Sequence, residues 1–144
     1  NYQLYYDQFK QAQDELTFRG CFCTAPKIKN TSRNIFSEAY GTFFLVFGIL
    51  FLVKPALQID GIETLQYGIG SLDALPVGIL VWAIGMSLGG TTGYAINPSR
   101  DLGPRIVYTL IRGEKAQSNW SYAWIPVIGP IVGAVLAGLL FSVL

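Results

Sequence analysis

The chain has 144 residues, 51% of them hydrophobic and 13% charged, with a mean hydropathy of +0.41, which is too apolar for an ordinary water-soluble domain of this size. Ten Lys and Arg against nine Asp and Glu leave a net charge of +1, so no field exists to gather nucleic acid or acidic substrates. With no His and two Cys, the chain lacks the residues for a zinc cluster, a Ser/His/Asp triad or a Cys/His pair; composition points to a bilayer as solvent and away from hydrolytic chemistry.

Residues 1–10 contain no initiator Met, basic leader or apolar core, so they are not a signal peptide, and the expectation is that the chain begins mid-protein. Tyr2, Tyr5, Tyr6 and Phe9 resemble the interfacial end of a membrane helix. Residues 1–33 are otherwise polar and mixed in charge, and Pro26 with residues 27–33 predicts a loop. Cys21 and Cys23 are too close in sequence for an ordinary disulfide between them and read as incidental loop thiols.

Residues 35–53 are almost wholly apolar, and at about 1.5 Å per residue they approach the roughly 30 Å of a bilayer core. They predict a spanning helix that ends at Lys54 and Pro55 and carries one charge, Glu38. Glu38 has two readings, a snorkelling residue or a buried acceptor for loop amides; composition does not separate them. A connector follows over residues 55–73, with turn formers at Asp60, Gly61, Gly68 and Gly70.

No Asp, Glu, Lys or Arg occurs between Asp73 and Arg100, and residues 75–91 predict a second spanning helix. Its end is rich in glycine (Gly85, Gly89, Gly90, Gly93). Each Gly costs a helix about 1 kcal/mol, so the pattern predicts close helix packing and then extended backbone over residues 91–96.

Asn97 is a favoured N-cap and Pro98 suits the first helical position. The helix they start, with Arg100, Asp101 and Arg105 in an apolar frame, runs to about Leu110 and is too short to span. Residues 92–110 therefore read as a re-entrant loop and half-helix. Extended backbone at membrane depth must face protein or water, which implies a water-filled pathway. The half-helix would aim a partial charge near +0.5 into it, beside the Asn97 amide and the Arg100 guanidinium, and repel cations. Taken singly, Asn-Pro-Ser is commonly a capped turn and the following Arg a solvated side chain; the weight lies in the combination. Asp101 and Arg105 can pair at (i, i+4), worth about 0.3–0.5 kcal/mol when exposed. Residues 122–144 predict a last spanning helix, with Tyr122 and Trp124 as interfacial anchors and Gly129, Gly133, Ala137 and Gly138 permitting close helix approach.

Residues 93–105, Gly-Tyr-Ala-Ile-Asn-Pro-Ser-Arg-Asp-Leu-Gly-Pro-Arg, resemble the second signature loop of the major intrinsic proteins in their glycerol-facilitator branch. The likeness extends along the chain: Glu38 and Thr42 look like the fourth helix, residues 78–93 like the fifth and residues 125–134 like the last. It implies an all-α membrane protein with the aquaporin-like right-handed bundle of six spanning helices and two half-helices, one pore per subunit, assembled as a homotetramer in the plasma membrane. This chain would be the carboxy-terminal half, with three spanning helices and one half-helix. The implied activity is passive passage of glycerol and small neutral polyols, with water, excluding ions and protons and using neither cofactor nor metal nor covalent chemistry.

By the same resemblance, Asn97 would donate to the solute at the midpoint, the carbonyls of Gly93, Tyr94, Ala95 and Ile96 would form an acceptor ladder, and Arg100 would donate at the narrowest point. Gly85 stands where water-selective relatives have a His, which would widen the constriction. Glu38, Pro98, Ser99, Asp101 and Arg105 would support the loop. Ser99 replaces the usual Ala and Tyr94 stands where Phe is frequent. The family orientation would put residues 1–33 and 112–119 outside, against the positive-inside bias. The alternatives are a mainly water-selective channel, a non-conducting structural or regulatory membrane fragment, and, on the fewest grounds, a membrane-embedded enzyme.

Overall fold

The computed structural model describes residues 15–52, 56–57, 65–66 and 72–144. The aromatic cluster at Tyr2, Tyr5, Tyr6 and Phe9 and most of the 55–73 connector lie outside the described residues. A short helix α1 (Glu15–Gly20) leads to a loop and to α2 (Thr31–Phe51). A two-residue antiparallel pair, β1 (Ala56–Leu57) with β2 (Leu65–Gln66), precedes α3 (Leu75–Thr92). Then come α4 (Pro98–Arg112), a 3-10 turn (Gly113–Lys115), α5 (Trp120–Ala123) and α6 (Ile125–Ser142). Among the described residues three helices, Thr31–Phe51, Leu75–Thr92 and Trp120–Ser142, are long and apolar enough to cross a membrane, and α4 is not among them.

The first spanning helix begins before its apolar run. Asn30, in extended conformation, accepts a hydrogen bond from the Arg33 N–H at 3.0 Å through its side chain, a favoured N-cap arrangement, so the polar residues 31–34 belong to the helix. Their inclusion is structural as well as local, since Asn34 is buried.

Burial is inverted relative to a soluble protein. Trp82 is 68% and Met86 76% exposed, whereas Glu38, Asp101 and Arg105 are fully buried. Large apolar side chains face outward, which suits lipid, and these three ionisable ones face the helix bundle, where they can be paired.

What brings α2 and α6 together is absence of side chains. A Cβ at Gly129 would sit 2.7 Å from the Glu38 Cβ, and one at Gly133 would run into the Ala39 carbonyl oxygen. With Ala137 also fully buried, these residues form a stripe every fourth position that lets backbones touch, the main attraction open to helices surrounded by lipid. Gly48 and Gly41 instead make room for side chains: a Cβ at Gly48 would meet Leu80 Cδ2 of α3 at 2.7 Å, and one at Gly41 would meet Cγ2 of Ile96, in the loop after α3, at 2.9 Å.

Candidate functional site: the loop and half-helix between α3 and α4

Helix α3 runs through Gly89 and Gly90 to Thr92, so the expected extension from Thr91 is corrected: Thr91 and Thr92 stay helical. The Tyr94 ring packs against this end of the helix at Gly85 and Gly89. A Cβ would come within 2.9 Å of Tyr94 Cζ at Gly85 and 3.2 Å of its Cδ1 at Gly89, and packing of this kind overrides helix propensity. The space left by Gly85 is thus taken up by Tyr94, and any widening there is shaped by that ring. Gly93 ends the helix in a left-handed conformation, φ 79°, its N–H bonded to the Gly89 carbonyl, the usual glycine C-terminal cap.

The segment from Gly93 to Asn97 is unusual backbone. Tyr94 and Ile96 also have positive φ, 37° and 40°, conformations that cost a side-chain-bearing residue roughly 1–3 kcal/mol each and persist where surroundings impose them. Glu38 on α2 imposes them here. Its two carboxylate oxygens accept the N–H groups of Ala95, at 3.1 Å, and Ile96, at 2.7 Å. Glu38 is fully buried, and Ala95 and Ile96 are buried too, so these are charge-assisted bonds out of water. Thr42, one turn along α2, donates to the Glu38 carbonyl at 2.8 Å and more weakly to the Ile96 carbonyl at 3.3 Å. Among the described residues no donor reaches the carbonyl oxygens of Gly93, Tyr94 or Ala95.

Asn97 then caps α4. Its backbone is extended and its Oδ1 accepts the Ser99 N–H at 2.9 Å, with Pro98 in the first turn. Because Oδ1 is committed to the cap, the amide's NH2 group is the end available to an outside partner. Asn97, Ser99 and Arg100 are exposed, and Arg100 forms no ion pair among the described residues. The Arg100 guanidinium and the α4 N-terminus put two positive features side by side on an open face.

The opposite face of α4 is closed. Asp101 and Arg105 are fully buried and joined at 2.6 Å, so the exposed pair considered from the sequence is replaced by an interior one. Asp101 Oδ1 accepts from Arg105 Nε and Nη2, at 2.8 and 2.6 Å, and Oδ2 accepts the N–H and hydroxyl of Thr24, at 2.7 and 2.6 Å. Arg105 also donates to the carbonyls of Thr24, Ser118 and Asn119, tying both flanking loops to the helix. Thr24 and Ser118 were missed by sequence reasoning; no spacing rule links position 24 to position 101.

The thiols part company too. Cys21 is exposed and Cys23 is buried at 1%, where loss of water raises the thiol pKa, partly opposed by the nearby Arg105 guanidinium. Among the described residues no cluster of three metal-ligating side chains occurs.

Comparison with known proteins gives a consistent result. The family model "Major intrinsic protein" matches residues 7–141. Glycerol uptake facilitator protein 3 of Lactiplantibacillus plantarum is 46% identical over 141 residues, covering 97% of this chain and 54% of that protein. The glycerol uptake facilitator protein of Streptococcus pneumoniae serotype 4 is 51% identical over 122 residues, covering 84% and 47% respectively. The X-ray structure of the aquaglyceroporin from Plasmodium falciparum superposes with a TM-score of 0.75 at 27% identity, covering 98% of this chain and 55% of that one. The chain spans about half the length of the curated relatives it matches.

Proposed function

The chain belongs to the major intrinsic protein family, integral multi-pass membrane proteins, and from that premise we propose that it supplies part of the wall of a passive channel for glycerol and small neutral polyols. Two relatives are named glycerol uptake facilitators and the structural neighbour an aquaglyceroporin. Water passes with the solute, ions and protons are excluded, no chemistry is catalysed, and the complete protein works as a homotetramer embedded in lipid.

The observation that carries this reading is the Glu38-held loop. Backbone pinned through its N–H groups leaves carbonyl oxygens of Gly93, Tyr94 and Ala95 without donors among the described residues. At membrane depth such acceptors need a polar partner, and the hydroxyls of a passing polyol provide one. Asn97 donates at the loop's end through its free NH2, and Arg100 donates where the passage narrows. Tyr94, seated against Gly85, shapes that narrow point and offers apolar ring surface to the solute's carbons. Ser99 is exposed beside Arg100 and keeps the first turn of α4 slim. Arg100 and the helix N-terminus together disfavour cations, one of the ways a pore with lining donors and fixed dipoles selects neutral solutes.

Stopped-flow light scattering on proteoliposomes of the full-length protein tests the proposal. Expected are glycerol uptake well above that of protein-free vesicles and no collapse of an imposed potassium or proton gradient. Rapid water flux without glycerol uptake would replace the reading with a water-selective channel, and no flux of either would favour a non-conducting membrane protein.

A further inference from the structure

The loop before α2, residues 21–30, carries a contact that neither the sequence nor the family resemblance assigned. Thr24 meets the buried ion pair of α4 from two sides: its N–H and hydroxyl both donate to Asp101 Oδ2, at 2.7 and 2.6 Å, and its carbonyl accepts from Arg105 Nη2 at 2.8 Å. It also touches the start of the re-entrant loop, since a Cβ at Gly93 would lie 3.3 Å from the Thr24 Cβ. The neighbouring loop backbone is pinned as well, the Lys27 N–H donating to the Thr91 carbonyl at 3.1 Å. One residue thus joins both ends of the segment from Gly93 to Asp101. Asp101 is in the first turn of α4 and adjoins Arg100 in the chain, so whatever fixes Asp101 fixes the backbone from which Arg100 projects. Arg100 has no ion pair of its own, among the described residues, to set its bearing.

We propose that Thr24 is a positioning residue for solute selection: its hydroxyl holds Asp101, and through it the bearing of Arg100 relative to the loop carbonyls. The role rests on the channel reading above. It needs a hydroxyl at this position, not merely a side chain of this volume. Removing the hydroxyl leaves Asp101 Oδ2 with one donor, the Thr24 N–H, and a buried carboxylate oxygen that loses a donor draws water or shifts toward another.

The test uses the full-length protein with Thr24→Val, which keeps shape and loses the hydroxyl, and Thr24→Ser, which keeps the hydroxyl. Two quantities are read: the ratio of glycerol to xylitol uptake in proteoliposomes, and maleimide labelling of Cys23 by peptide mass mapping, with the exposed Cys21 as internal reference. T24V is expected to lose discrimination against xylitol and to label Cys23, which the native protein protects, whereas T24S should match the native protein in both. A native uptake ratio in T24V, or an equal loss in T24S and T24V, would overturn the role. Should T24V fail to fold, Thr24→Ala, which adds no volume, takes its place against the same T24S comparison, and the same two results would overturn the role. If the native protein conducts no glycerol, the channel reading fails and this role with it; a conducting native protein with an indifferent T24V sinks the role alone.

Discussion

Two of the three arginines on α4 have opposite circumstances. Arg105 is fully buried and makes hydrogen bonds to Asp101 and to the carbonyls of Thr24, Ser118 and Asn119. Arg100, five residues earlier, is exposed and makes no ion pair among the described residues. The same contrast divides the whole of α4: Asp101, Arg105 and Tyr108 are at 0% exposure along one side, while Leu102, Ile106, Val107 and Leu110 lie outward. The difference teaches that the charge count of such a helix says little about which charges are for use. A guanidinium whose donors are all spent on carbonyls and a carboxylate is a fastener, and one left without partners beside a helix N-terminus is what a passing solute can meet.

The sharpest way to break that contrast is to unfasten the buried side. Arg105→Ala leaves Asp101 as an uncompensated interior charge, and breaking a buried pair in this way costs about 3–5 kcal/mol. A large fall in the thermal unfolding temperature in detergent, with little protein recovered from membranes, is the expected outcome. An unfolding temperature within the error of the native protein would remove the distinction between the two arginines.

A smaller effect is expected at the loop's other anchor. Glu38→Gln keeps size but can offer one oxygen where two N–H groups now have one each, and its NH2 faces an N–H instead of accepting from it. Hydrogen bonds to charged groups contribute about 1.5–3 kcal/mol, so destabilisation below that of Arg105→Ala is expected, with faster hydrogen exchange confined to Ala95 and Ile96. Exchange rising equally along α2 would mean that Glu38 supports the helix rather than the loop.

Much of this architecture is legible in the sequence, for identifiable reasons. Spanning helices announce themselves because lipid demands about twenty apolar residues in a row, and α4 because Asn97 and Pro98 are local start signals acting on their own neighbours. Boundaries were less legible. The apolar run at Ile35 marks where lipid begins, whereas the helix begins at Thr31 because Asn30 caps it, a hydrogen-bonding event that hydropathy does not sense. The glycine-rich end predicts extension from Thr91 because propensity is a single-residue quantity, whereas the Tyr94 ring that packs against Gly85 and Gly89 is a tertiary contact. Glu38 stood between two readings because exposure, not identity, decides them; at 0% exposure with two loop amides on its carboxylate it is an acceptor. Thr24 and Ser118 had no signal at all, since their partner in α4 is reached across the fold.

The smallest expected effect on stability is the most informative about use. Arg100→Ala removes a side chain that is exposed and, among the described residues, without an ion pair, and surface changes away from packed features usually stay within about ±0.5 kcal/mol. The unfolding temperature in detergent should therefore match the native protein, in contrast to Arg105→Ala. Selection should not: without the guanidinium the narrow point gains room and loses its fixed positive charge, so larger polyols should enter faster relative to glycerol and cation leakage should rise, most visibly at low ionic strength, where screening is weakest. The paired result matters more than either half. A variant that unfolds early would make Arg100 a second fastener, and one that is both stable and unchanged in solute and ion selection would make it a bystander, leaving the barrier to the α4 N-terminus and Asn97 alone.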